Sequence, residues 1–197
     1  MLSRNTVARS LHDLGAAAWF GGSLMGAIGL NGAASEVREP QDRARVAASG
    51  WAKWAPVNAA AIGAHLVGGG ALLYANKDRA LHQSGVKANT ITKLALTGVA
   101  LAATAYSGVL GAKIAQADGQ PVEGATDPDP STSHDVAAAQ QQLHYLQWAL
   151  PALTGAIVIL GAQQGEQQRP TQMLTGLAST LAHPGQLLSQ LPIREHR

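Results

Sequence analysis

The chain has 197 residues, enough for one domain with a substantial core and too few for two independent cores. Charged residues make up only 13% of it, the formal net charge is +2, and there is no cysteine. A small, scattered positive charge does not indicate nucleic-acid binding, and without cysteine there are no disulfides or thiolate metal ligands. So few charges would cover a water-facing surface poorly, which favours a membrane protein.

Four apolar windows carry the membrane interpretation, since a helix needs about 20 residues to cross a hydrocarbon core. We predict spans over residues 11–33, 54–75, 91–114 and 143–163. Segments such as AIGAHLVGGGALLYA are apolar on every side, where a soluble Ala-rich bundle, the main alternative, would keep a polar face. The predicted fold is all-α, an integral membrane four-helix bundle over residues 1–166.

The first window, LHDLGAAAWFGGSLMGAIGL, carries a stripe of small residues and one tryptophan at helical spacing. Its members are Gly15, Trp19, Gly22, Gly26 and Gly29. Because lipid tails are as apolar as leucine, membrane helices associate through close packing of such faces, so we predict that the stripe packs against another helix. A cleaved secretory signal is the alternative for this window, which is longer than a typical signal core.

Ionisable residues inside a span are functional candidates by default. His65 lies near the middle of its window, His12 near the inner end of the first window, and His144 near the outer end of the fourth. On this prediction no two histidines are level in the membrane, although two haem ligands must reach one iron. His65 and His144 are therefore the least unfavourable cofactor pair; no cofactor is predicted, and haem b is the alternative.

Neither a metal site nor a catalytic site is predicted. Only Met25 lies within a span to serve copper(I), and His134, Asp135, Asp127 and Asp129 are interpreted as solvated loop residues. The chain has no G-x-S-x-G, no H-E-x-x-H and no glycine-rich phosphate loop after a strand. We therefore expect no enzyme.

The connections set the predicted orientation. Basic residues are more numerous on the ends and on the connection between the second and third windows, so both termini are predicted to be cytoplasmic. The acidic, proline-containing residues 115–142 are predicted to be a solvated outer loop. In residues 167–197, leucines at helical spacing predict an amphipathic segment on the inner membrane surface, with a frayed tail as the alternative.

The stretch LHDLGAAAWFGG, residues 11–22, resembles the first helix of small four-helix membrane proteins in the grouping of copper-resistance D domains and the DUF4149 family. The resemblance rests on an LH-x-L-x-x-x-x-W-x-G-G pattern in about twenty residues. It implies an inner-membrane four-helix bundle in which His12 and Trp19 are the matching motif positions. The metal handling of the copper-resistance relatives carries over least, because this chain lacks the methionines and cysteines that such a role needs.

Together these features predict a multi-pass protein of the cell inner membrane with a binding or accessory role. Its expected partners are the lipid bilayer and other membrane subunits or a second copy, contacted through glycine-rich faces. A haem- or quinone-linked electron carrier using His65 is one alternative. A small metal or solute transporter is another, with a polar path that Asn58, His65, Thr97, Thr104 and Thr154 would line.

Overall fold

A computed structural model of the chain describes residues 2–75, 84–117 and 119–167. Its helices are α1 (Leu2–Met25), α2 (Asn31–Ser35), α3 (Pro40–Ala75), α4 (Ser84–Gln116) and α5 (His134–Gln167), with a π-helical turn, Gly26–Leu30, between α1 and α2. In these ranges the one β-type pairing is an isolated bridge between Val122 and Pro128. The predicted all-α class is confirmed for this part of the chain.

Three described helical stretches are long and apolar enough to cross a membrane: Pro40–Ala75, Ala88–Gln116 and His134–Gln163. They contain the predicted windows 54–75, 91–114 and 143–163. The first window, 11–33, is also helical but is divided among α1, the π turn and α2, and it is not one of the three. The chain divides into two compact units, Met1–Leu160 and Gly161–Arg197, and the predicted tail lies almost wholly outside the described residues.

The π turn joins α1 to α2 without a break in the helical backbone. Met25 and Asn31, on either side of it, both keep right-handed helical dihedral angles. A π turn inserts an extra residue into the helical ladder, so it changes which side chains face a neighbouring helix. Residues 2–35 therefore form one continuous rod whose register changes in its last third.

Side chains from all the long helices meet in one interior cluster. Ala16 and Trp19 of α1 pack with Ala100 of α4 and Ile157 of α5, and Ile62 of α3 covers them. A second cluster joins α4 and α5 nearer the connection between them, through Leu110, Ile114, Val136 and Ala139. The first cluster places Trp19 among the long helices, and the second holds α4 against α5.

The connection between α4 and α5 is folded against the protein. α5 begins at His134, inside the predicted loop of residues 115–142. Val122 and Thr126 are buried. Arg43 of α3 donates hydrogen bonds to the carbonyl oxygens of Val122 (3.3 Å) and Glu123 (3.1 Å), and the buried Gln140 donates to that of Gly124 (3.0 Å). Part of the predicted loop is therefore held against α3 and α5 by hydrogen bonds that satisfy its backbone, while other residues of it remain exposed.

Candidate functional site

Two glycines bring the backbones of α1 and α3 into contact. A Cβ built on Gly15 would collide with the carbonyl oxygen of Ala61 and lie 2.6 Å from the backbone nitrogen of His65. A Cβ built on Gly68 would lie 2.5 Å from both the carbonyl oxygen of Ala8 and the backbone nitrogen of His12. These neighbours are backbone atoms that cannot turn aside, so only glycine fits at either position.

At this contact each histidine binds the backbone of the other helix. Nδ1 of His12 lies 3.0 Å from the carbonyl oxygen of His65, and Nδ1 of His65 lies 3.0 Å from that of His12. The two rings stack with centroids 4.1 Å apart and planes 19° apart, and their residues are 9% and 2% exposed. A carbonyl oxygen only accepts hydrogen bonds, so each Nδ1 carries a hydrogen and donates it. Each ring, when neutral, then has its lone pair on Nε2.

The contact is nearly symmetric because the same spacing occurs on both helices. Gly15 comes three residues after His12, and Gly68 comes three residues after His65. Each glycine admits the backbone next to the other helix's histidine. The helices run antiparallel, and the register continues to Gly22, which faces Trp54, and to Gly26, which faces Trp51. We call the four residues His12, Gly15, His65 and Gly68 the histidine clamp.

The expectation that His12 and His65 lie at different depths is wrong. The limits of the apolar windows do not give the positions of the two histidines, because α1 begins at Leu2, well before its window, and α3 begins at Pro40, well before its own. His12 is therefore about a third of the way along the rod of residues 2–35, counted from Leu2. His65 is about a third of the way along α3, counted back from Ala75, and the antiparallel arrangement places the two side by side. The repeated H-x-x-G spacing was the sequence signal for this pairing.

α4 completes the surroundings of the clamp. Nζ of Lys93 lies 3.1 Å from Nε2 of His12 and is the donor, because this nitrogen carries the lone pair. The Trp19 ring meets the His65 ring edge-on, with centroids 6.2 Å apart, and its Nε1 donates to the Thr104 hydroxyl at 3.1 Å. Lys93 was not among the predicted site residues, since it stands at the edge of an apolar window.

His144 lies in a different set of contacts. Its Nδ1 is 3.1 Å from Oδ1 of Asp127, and both side chains are about half exposed. A chain of hydrogen bonds continues inward from this pair through Thr126, Gln147 and Asn31 to the Trp51 ring. The contacts of His65 are with His12 and Trp19 instead. This pattern joins His144 to the connection between α4 and α5 and does not bring it together with His65.

The glycine stripe of α1 divides between two surroundings. Gly15, Gly22 and Gly26 face α3, whereas a Cβ on Gly29 would meet only the Met25 side chain, at 3.3 Å. Gly29 falls inside the π turn, where the register changes. Gly22, Gly26 and Gly29 line an open groove of about 440 Å³ between the rod and α3, together with Met25, Leu30, Gly50, Trp51, Lys53 and Trp54.

Most of the polar residues that would line the predicted transport path already make hydrogen bonds within the protein. Thr104 accepts from Trp19, and the Thr154 hydroxyl donates to the Leu150 carbonyl oxygen at 2.7 Å within its own helix. Thr97 is buried. Oδ1 of Asn58 is buried without a hydrogen-bond partner among the described residues. A continuous polar path does not follow from these contacts.

The clamp does not fit a haem held between its two rings. Axial ligands approach one iron from opposite faces of the macrocycle, so the macrocycle would have to lie between them. The stacked His12 and His65 rings leave no such space, and both Nδ1 atoms already bind carbonyl oxygens. Within residues 2–75, 84–117 and 119–167, no three His, Asp or Glu side chains converge to hold a metal ion.

Comparisons with protein-family models, with curated proteins and with solved structures found no match to this chain. The resemblance of residues 11–22 to the copper-resistance D and DUF4149 grouping therefore stays a prediction.

Proposed function

We propose that the chain is a multi-pass membrane protein with a binding or accessory role. The observation that supports membrane insertion is the distribution of apolar and polar side chains on the long helices. Large apolar residues point outward from each of them and remain exposed: Val57, Leu66, Val67, Ile91, Leu94, Val99, Val109 and Ile159. Polar residues of the same helices, His65, Thr97 and Thr154, are buried. Lipid would cover such a surface, whereas water would not.

In this proposal the rod of residues 2–35 is the fourth span. Its length is about 50 Å at roughly 1.5 Å per residue, more than a hydrocarbon core requires. Leu14, Met25 and Ile28 point outward from it, and Ala16 and Trp19 join the interior cluster of the other helices. Arg9 and Asp13 stand toward its first end, where an interfacial position suits their charge. The four spans then form a bundle in the cell inner membrane.

The accessory role follows from how the interior uses its polar groups. Both clamp histidines bind backbone carbonyl oxygens, and Trp19 binds Thr104. Groups that hold helices together in this way are not arranged around a substrate. Gly22 and Gly26 of the open groove are covered by the Trp54 and Trp51 rings, while Met25 and Gly29 remain exposed there. Such a surface of rings and small or apolar residues suits contact with a further membrane helix.

Membrane insertion and orientation can be tested with single cysteines, because the native chain has none. We expect Glu123→Cys, in the outer connection, to react with a membrane-impermeant maleimide in intact cells. Lys77→Cys, between the second and third predicted spans, should react only after lysis. The opposite pattern would invert the orientation, and release of the protein from membranes by alkaline carbonate would contradict insertion.

The accessory role can be tested by photo-crosslinking in native membranes. A photoreactive residue at Met25, which lines the groove, should give a discrete protein adduct. The same residue at Ile159, exposed on α5, is the matched control and should give lipid adducts only. Equal labelling from both positions would contradict a partner at the groove. A Soret band in the protein purified in mild detergent would favour the haem-linked alternative.

A further inference from the structure

The histidine clamp is too closely packed to hold a ligand, but its two imidazole rings can take up protons, which would change their hydrogen bonds. Its rings are stacked at 4.1 Å, and backbone atoms lie against Gly15 and Gly68. The clamp is assembled from neutral imidazoles: each Nδ1 donates to a carbonyl oxygen, and Nε2 of His12 accepts from Lys93. A hydrogen added to that Nε2, the second on the imidazole ring, removes the acceptor.

We propose that protonation of the clamp controls the contact between α1 and α3. The neutral imidazole rings hold the two helices together, and uptake of a proton on Nε2 of His12 loosens the contact. The proton comes from water and adds to the imidazole lone pair. The N–H···N hydrogen bond from Lys93 to His12 is then lost, and an ammonium and an imidazolium face each other at about the same separation. If both rings take up protons, two like charges are stacked in contact.

The charges around the clamp come mainly from α1 and α4. Asp13 of α1 and Lys93 of α4 act electrostatically on both histidines, and Arg9 of α1 acts on Lys93. α3 has no Asp, Glu, Lys or Arg between Lys53 and its end at Ala75, and α5 has none between Asp135 and Glu166. Among the residues that the structure describes, the Lys93 ammonium acts on each ring more strongly than the Asp13 carboxylate does, so these charges oppose a further positive charge on the rings. The contact therefore opens on acidification and closes on return to neutral pH.

The distance between α1 and α3 is the direct readout, and the cysteine-free chain allows it to be measured with paired spin labels. Leu14→Cys and Val67→Cys each stand two residues after a clamp histidine and are exposed. In the full chain in detergent, we expect one short distance at pH 8 and loss of that population by pH 5. A second pair, Ile28→Cys and Val46→Cys, reports the opposite part of the helix pair and should not change, which separates local opening from unfolding.

Two variants assign the response to the clamp. In His12→Asn with His65→Asn, the amide N–H replaces the Nδ1 donor and cannot take up a proton, so the distance should no longer depend on pH. Lys93→Met removes the opposing cation and should move the midpoint of opening upward by about one pH unit.

A pH-independent distance in the native chain between pH 8 and pH 5 would overturn the proposal, as would a pH response that survives in the double asparagine variant. If that variant does not fold, Lys93→Met tests the proposal by itself. A midpoint pH of opening that is unchanged or lower in Lys93→Met would contradict the mechanism. None of these outcomes depends on whether the protein has the accessory role proposed above.

Discussion

Gly68 and His12 meet through their backbones, so closely that a Cβ on Gly68 would lie 2.5 Å from the His12 nitrogen. The reciprocal approach at Gly15 makes the helix pair dependent on two positions rather than on a general abundance of glycine. Other glycines of the same helix, Gly63 and Gly70, would have nothing within 4 Å of an added Cβ. The chain therefore contains its own matched controls for the clamp.

Gly68→Ala should destabilise the protein. The added methyl group must push α1 away from α3, since the atoms it meets belong to the backbone, and overpacking of this kind costs about 1–3 kcal/mol. Gly70→Ala, the control, should be neutral or slightly stabilising, because alanine is the better helix former. Thermal unfolding in detergent measures both. Equal unfolding temperatures for the two variants would contradict the close backbone contact.

The hydrogen bond between Trp19 and Thr104 should couple α1 to α4. Trp19→Phe removes the donor and Thr104→Val removes the acceptor at 3.1 Å. A double-mutant cycle should give a coupling of about 1 kcal/mol, within the range for hydrogen bonds between membrane helices. Trp148→Phe, at a half-exposed position, should change the free energy of unfolding by less than about 0.5 kcal/mol. Additive effects of the Trp19 and Thr104 substitutions would show that the bond contributes nothing.

Much of the fold could be predicted because apolar windows and small-residue faces are local patterns. The windows at 54–75, 91–114 and 143–163 lie within observed helices, and Gly15, Gly22 and Gly26 do face another helix. The pairing of His12 with His65 could not be read from window limits. Hydropathy locates the apolar middle of a helix, while polar first turns extend it by amounts that hydropathy does not record.

The packing of the connection between α4 and α5 is not predictable from the sequence for a different reason. Its Asp, Pro and Ser content is typical of solvated loops, but burial there depends on partners far along the chain. Arg43 is about eighty residues away from the carbonyl groups that it binds, and Gln140 reaches back from α5. Hydrogen bonds between residues so far apart in the chain cannot be predicted from the composition of the segment. The π turn, which includes both Gly26 and Gly29, is equally invisible in residue spacing.

Arg43→Lys should loosen the connection between α4 and α5. The guanidinium group donates through Nε to Val37 at 2.8 Å and through Nη1 to two carbonyl oxygens of the connection. An ammonium group cannot keep that forked geometry. We expect faster amide hydrogen exchange in residues 119–133 with little change elsewhere. Arg45→Lys is the control, since Arg45 makes an exposed pair with Asp42 that contributes little; equal exchange in both variants would assign the order of the connection to other contacts.

The turn at Asp129 should be stable to mild acid. The Ser131 hydroxyl and backbone N–H donate to Oδ1 of Asp129 at 2.6 and 2.8 Å, and these bonds hold the pKa of its carboxyl below the ordinary value of 3.8. A lowered pKa in the folded state means that the contribution to stability is complete above pH 3.8. It is lost as the pH falls through the lower, folded-state pKa.

Ser131→Ala removes the hydroxyl donor, the larger cause of the shift, and leaves the backbone N–H in place. The pKa of Asp129 should then rise toward 3.8, and the turn should open at a higher pH than in the native chain. Carbon-13 NMR titration of the aspartate carboxyl groups in detergent micelles measures the change. Ser133→Ala is the control, because the contact of Ser133 here runs from its backbone nitrogen to Gln120. The same Asp129 pKa in the native chain and in Ser131→Ala would show that the hydroxyl bond does not shift it.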